Sequence, residues 1–147
     1  MKRSLSSTFI VFQGVLFTGL GLYFVFIRPP LLPEDPRFIG ASLAEIQGAI
    51  PGLLIWLRRI FWVMGGFMFA TGLMIIYIGS MVSSHSTRNA RLVVALASLT
   101  SIGWMSIVNF MIDSDFKWLL LAFNLPWVLA LILSRHDYIL PASKLSV

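Results

Sequence analysis

Apolar residues along the chain fall into four long, nearly uninterrupted runs. Thr8–Ile27 holds 20 residues with Gln13 as its strongly polar member. Ile60–Ile78 holds 19 and nothing more polar than Thr71. Leu92–Ile112 holds 21 and carries Asn109, while Trp118–Leu133 holds 16 and carries Asn124 and Pro126. A helix needs roughly 20 apolar residues to cross the hydrocarbon core of a bilayer. The first three runs meet that length, and the fourth meets it only with Phe116 and Ser134 added or with some local thinning of the bilayer. The runs are far longer than the ~10-residue alternating segments of a membrane barrel. Open strands are excluded at this depth because lipid offers an unpaired backbone no hydrogen-bond partner. The pattern therefore predicts an all-α integral membrane protein, a four-helix bundle with spans at about 8–27, 60–78, 92–112 and 116–134.

Composition supports the class. Hydrophobic residues make up 58% of the 147-residue chain and charged residues 12%, with a mean hydropathy of +0.88. Soluble domains run near 45–50% apolar and about 25% charged. The first run follows Lys2 and Arg3, as a secretory signal would. It is longer than the usual ~7–15-residue apolar core, however, and Arg28-Pro29-Pro30 follows it where a small-residue cleavage site would stand. It is expected to remain as a helix.

The segment between the first two spans, residues 28–59, is the longest polar stretch. Arg28–Pro36 has four prolines in nine residues and is expected to run extended over the surface. Ser42-Leu43-Ala44-Glu45 has capping-box spacing. Beyond it, Leu43, Ile46 and Ile50 share one helical face, which predicts a short amphipathic helix over Ser42–Ile50 resting on the membrane. Pro51-Gly52 ends it. Leu53–Leu57, with Trp56, is then expected to dip along the interface, and Arg58 and Arg59 sit where long side chains reach toward headgroups. Of the remaining connections, Gly79–Ala90 is serine-rich and reads as a flexible loop. Asp113-Ser114-Asp115 reads as a tight hairpin whose Ser114 or Asp115 can cap the fourth helix.

Four spans place both termini on one side. That side holds six Lys/Arg against Asp137 alone, and the other holds five against five acids, so the formal excess of +5 lies with the termini. The positive-inside rule then puts both termini in the cytoplasm. The basic residues stand singly beside apolar runs, which fits lipid headgroups better than nucleic acid.

Most chemistry lacks its residues. The chain has no cysteine, which excludes thiolate nucleophiles, disulfides, Cys-ligated zinc and iron–sulfur clusters. The four runs contain no His, Asp, Glu, Lys or Arg, so they hold neither the ionisable groups of a proton relay nor the ligands of a bundle di-iron site. His85 and His136 lie outside the runs and outside any nucleophile motif. The loop acids Glu34, Asp35, Glu45, Asp113 and Asp115 could gather around a divalent cation, or pair with Arg28, Arg37, Arg58 and Arg59, which is the commoner outcome. No catalytic, cofactor or metal residue is assigned.

What remains is contact chemistry. Gln13, Asn109 and Asn124 are amides within spans, suited to interhelical hydrogen bonds or to a polar group of a bound molecule. Pro126 removes one helical hydrogen bond beside Asn124 and predicts a polar kink there. Gly14, Thr18 and Gly21 form a small-residue stripe on the first span, Gly66 and Ala70 one on the second, and Ala97 and Ser101 one on the third. Such stripes let helices approach closely, within one chain or between chains.

The stretch Pro33-Glu34-Asp35-Pro36-Arg37-Phe38-Ile39-Gly40, with Leu43-x-x-Ile46, Trp56-Leu57-Arg58-Arg59 and Gly65-Gly66-x-x-x-Ala70-Thr71-Gly72-Leu73, resembles small bacterial four-helix inner-membrane proteins of unknown function. The resemblance covers roughly residues 8–80. It implies a bacterial inner-membrane location and brings no activity. Besides a membrane enzyme with its site on the loop acids, the least favoured reading, two functions stay open. One is a non-enzymatic multi-pass protein acting through helix and surface contacts, as an accessory subunit of a membrane complex or a homo-oligomer. The other is a binder or transporter of a lipophilic or uncharged small molecule, such as a lipid or quinone, within the bundle.

Overall fold

The computed structural model describes residues 5–81 and 88–139. The serine-rich connection falls largely outside them, as do His85 and both chain ends. Among the described residues all regular structure is helical. Three helices are long and apolar enough to cross a membrane: α1 (Leu5–Phe26), α4 (Leu53–Met81) and the third, Leu92–Met111. A shorter apolar stretch, Lys117–Leu133, follows them.

α1 and α4 form the closest pair in the molecule, because small residues face each other across it. Ser7, Gly14 and Gly21 stand at seven-residue intervals on α1, and Gly79, Gly72 and Gly65 answer them on the antiparallel α4. A Cβ added to Gly14 would lie 2.8 Å from the Gly72 carbonyl oxygen, and one added to Gly72 would lie 2.8 Å from the Gly14 carbonyl oxygen. The Gly21 and Gly65 pair repeats the arrangement at 2.7 Å in both directions. At the far end the Ser7 hydroxyl donates to the Gly79 carbonyl at 2.6 Å. In lipid, where apolarity alone does not drive helices together, this backbone approach supplies the dispersion contacts that hold the pair. The stripe read on the first span is thus used inside the chain. Gly66 and Ala70 lie on the outward face of α4, with nothing near the position of a Gly66 Cβ.

Between α1 and α4, residues 28–33 form no helix, as expected of the proline-rich run, but the run does not stay extended to Pro36. Residues 34–39 form a helix, α2 (Glu34–Ile39), with Pro36 in its first turn, where a missing N–H costs nothing. The Asp35 carboxylate accepts from the Leu32 amide at 2.7 Å, and Gly40 closes the helix at φ 78°, a conformation that favours glycine. α3 (Leu43–Ala49) follows. Ser42 and Glu45 make both halves of the capping box, and the Ser42 hydrogen bonds hold the Glu45 carboxyl below its ordinary range. Of its apolar face, Ile46 is buried while Leu43 and Ile50 stay exposed. Leu53–Leu57 is the first part of α4 itself, continuous with the second apolar run.

The third span is interrupted. α5 (Arg88–Ser98) passes through a π-helical segment, Leu99–Gly103, into α6 (Trp104–Met111). Thr100 and Ser101 donate back to the Leu96 and Ala97 carbonyls, which loosens the turn that widens. The last apolar stretch is broken outright into α7 (Lys117–Ala122) and α8 (Leu125–Ile139), with Pro126 in the first turn of α8. The kink expected at Pro126 is therefore a full break at Phe123-Asn124. It lets the two pieces take different partners: α7 packs on α6, and α8 packs on α1. Ser6 donates to the Ala130 carbonyl at 3.0 Å across that second contact.

Candidate functional site

The core has two layers. Ile10, Ile75, Val94 and Ala130 pack the half toward the termini, where α8 covers α1. In the other half Phe17, Phe24, Met68, Ile102 and the α7 residue Leu120 form the core, and α7 packs on α6. Beside them lies a cavity of about 790 Å³, which α7 also lines through Leu119 and Leu120. Leu16, Gly19, Leu20 and Tyr23 of α1 form its back wall, Phe61, Met64 and Met68 of α4 one side, and Trp104, Met105 and Val108 of α6 the other. Its size is that of a site for a small organic ligand.

The cavity opens sideways. Val15 of α1 and Trp104 of α6 line it yet keep 52% and 64% of their surface exposed, so the cavity is open to the outside beside them.

Polarity gathers at one end, where the chain leaves α1. Arg28, Glu34, Asp35 and Ser114 line that end. The Arg28 guanidinium lies over the Phe61 ring at 3.5 Å and near Phe24 at 5.1 Å, so the cation is sheltered by aromatic faces. Burial pulls its pKa below the ordinary value, opposed by Asp35, Tyr23 and Glu34; an arginine so placed stays charged. Glu34 is 1% exposed. Its Oε1 accepts from the Ser114 hydroxyl at 2.8 Å, while its Oε2 has no hydrogen-bond partner. A buried polar atom in that state is rare and calls for a ligand or ordered water.

The hairpin that carries Ser114 is fixed from both sides. Asp113 takes a φ of 52°, which aspartate tolerates, and forms an ion pair with Lys117 that holds its carboxyl below the usual range. Asp115 pairs with Arg37 of α2 at 3.1 Å, and Arg37 also donates to the Asp113 carbonyl at 3.2 Å. The Ser114 hydroxyl accepts from the Phe116 amide at 3.2 Å at the start of α7, the capping contact expected of it. The same hydroxyl ties this hairpin to Glu34. Among the described residues no three acids or histidines come together as a metal site would need.

The amides picked out from sequence go to separate places. Asn109 lines the cavity and donates to the Met105 carbonyl of its own helix at 2.9 Å. Asn124 stands on the other side of α6, at the helix break. It donates to the Ser106 hydroxyl at 2.8 Å and the Leu120 carbonyl at 3.0 Å, and accepts from the Trp127 indole at 3.0 Å. This network stabilises the broken helix, so Asn109 and Asn124 do not face one another across the cavity. Gln13 is buried with its Oε1 unpartnered and lies outside the cavity lining. Of the residues expected at the membrane interface, Arg59 stacks over Trp62 at 4.2 Å, and Trp56 is exposed. Arg28, Glu34 and Ser114, the cavity's polar end, were not singled out as a group from sequence.

No protein-family model, no curated protein and no solved structure matches the chain. The site must be read from its own chemistry.

Proposed function

We propose that this chain is a four-span membrane protein that holds one lipophilic molecule in the cavity between α1, α4 and α6. The observation that carries the reading is the cavity itself: apolar along its walls, polar at one end, and open at the side of the helices. A molecule entering sideways from the bilayer keeps its apolar part in an apolar medium throughout and exchanges only its polar group between environments. The four apolar runs hold no His, Asp, Glu, Lys or Arg, so binding without chemistry fits these residues better than catalysis. The charge pattern favours cytoplasmic termini, and with them a cavity in the outer half of a bacterial inner membrane.

The accessory-subunit reading keeps one supporting observation, the outward Gly66 and Ala70 on α4. Its first-span argument has gone, since Gly14, Thr18 and Gly21 face α4 of the same chain.

Purified protein, exchanged through several rounds of mild detergent and then extracted with organic solvent, should release about one amphiphile per chain. Bulk lipid at the surface would be stripped by that treatment. A chain that emerges with none contradicts the proposal.

A further inference from the structure

The polar end of the cavity says what kind of headgroup it takes, on the footing that the cavity binds an amphiphile at all. Two unlike groups meet there. Glu34 is buried, and its Oε2 lacks a donor. The Arg28 guanidinium donates to the Pro29 carbonyl at 3.2 Å and has further N–H groups for an acceptor. The site thus wants a donor and an acceptor on the same ligand, the donor beside a carboxylate and the acceptor beside a cation.

Depth narrows the ligand further. Along α1 the cavity runs from Val15 to Arg28, about 20 Å at 1.5 Å per residue. Half of a ~30 Å hydrocarbon core is about 15 Å. The cavity therefore spans one leaflet plus its headgroup layer, with its charged groups where headgroups lie and its apolar floor at the bilayer centre.

We propose that the occupant is a phospholipid with a primary-amine headgroup, its ammonium donating to Glu34 Oε2 and its phosphate facing Arg28. The acyl chain lies along Leu16, Leu20 and Met68. A quaternary ammonium carries the same charge but has no N–H to give Glu34, and a glycerol headgroup has donors but no cation.

The delipidated chain, offered equal amounts of phosphatidylethanolamine, phosphatidylcholine and phosphatidylglycerol with identical acyl chains, tests this by native mass spectrometry. The ethanolamine lipid should be bound about tenfold over the choline lipid, the scale of one hydrogen bond to a charged group. Glu34→Gln keeps an acceptor for Ser114 and should bring the ratio to within about twofold. Should that variant fail to fold, the wild-type ratio alone decides. Equal retention of the three lipids, or displacement of all of them by a quinone, overturns the headgroup assignment and leaves the binding function standing. Retention of no amphiphile overturns both.

Discussion

Gly72→Ala is expected to destabilise the protein by about 2–3 kcal/mol, the upper range for overpacking a close contact. The added methyl would stand 2.4 Å from Thr18 Oγ1 and 2.5 Å from the Thr18 amide nitrogen. A backbone atom cannot rotate out of the way, so α1 and α4 would have to separate along their length. The neighbouring pairs Gly14/Gly72 and Gly21/Gly65 would lose contact with them. Gly66→Ala, six residues earlier on the same helix, has nothing to strike and gains up to ~1 kcal/mol of helix propensity. Thermal unfolding of the two variants in the same mild detergent separates the faces of α4. Equal melting temperatures would mean that the α1–α4 pair does not pack through Gly72.

Filling the cavity should abolish retention of its ligand by more than tenfold while leaving the fold intact. Val15 and Leu119 both line the cavity, and each keeps 52% of its surface exposed, so tryptophan at either place can enter the space without displacing a packed neighbour. The double variant Val15→Trp with Leu119→Trp adds two indole rings to a space of about 790 Å³. Filling a preformed site costs affinity through lost contact area, so the expected readout is binding, with little change in melting temperature. Retention at the wild-type level would place the bound molecule elsewhere on the surface.

The sequence carried three apolar helices long enough to cross a membrane and the Ser42/Glu45 capping box, because each depends on residues near one another in the chain. It carried the pairing of helices less well. Gly65 and Gly66 are adjacent, and nothing local says which of them turns inward. The seven-residue series Gly65, Gly72, Gly79 becomes meaningful only beside Ser7, Gly14 and Gly21 run in the opposite direction. Proline density suggested an extended run through Pro36, yet Pro36 falls in the first turn of α2, a helical place that needs no N–H from it. Pro126 marked the last helix as irregular, but the consequence of the break could not be read there. That consequence is the divergence of α7 and α8 to different partners, α7 with α6 beside the cavity and α8 with α1.

The polar end was hidden for a related reason. Glu34 looks like one of several loop acids, and its hydrogen bond to Ser114 joins positions 80 residues apart. Asn109 was recognised as a polar residue of the third span, and it does line the cavity. Asn124 was grouped with it, although the network through Ser106 and Trp127 commits it to the helix break.

Photolabelling in intact membranes tests the occupied cavity most directly. A phospholipid bearing a diazirine midway along one acyl chain, activated in membranes containing the wild-type chain, should label Phe17, Met68 and Met105, which line the cavity and are largely shielded from bulk lipid. Labelling confined to outward residues such as Phe67 and Met74, with none at Phe17, Met68 or Met105, would contradict a lipid-occupied cavity.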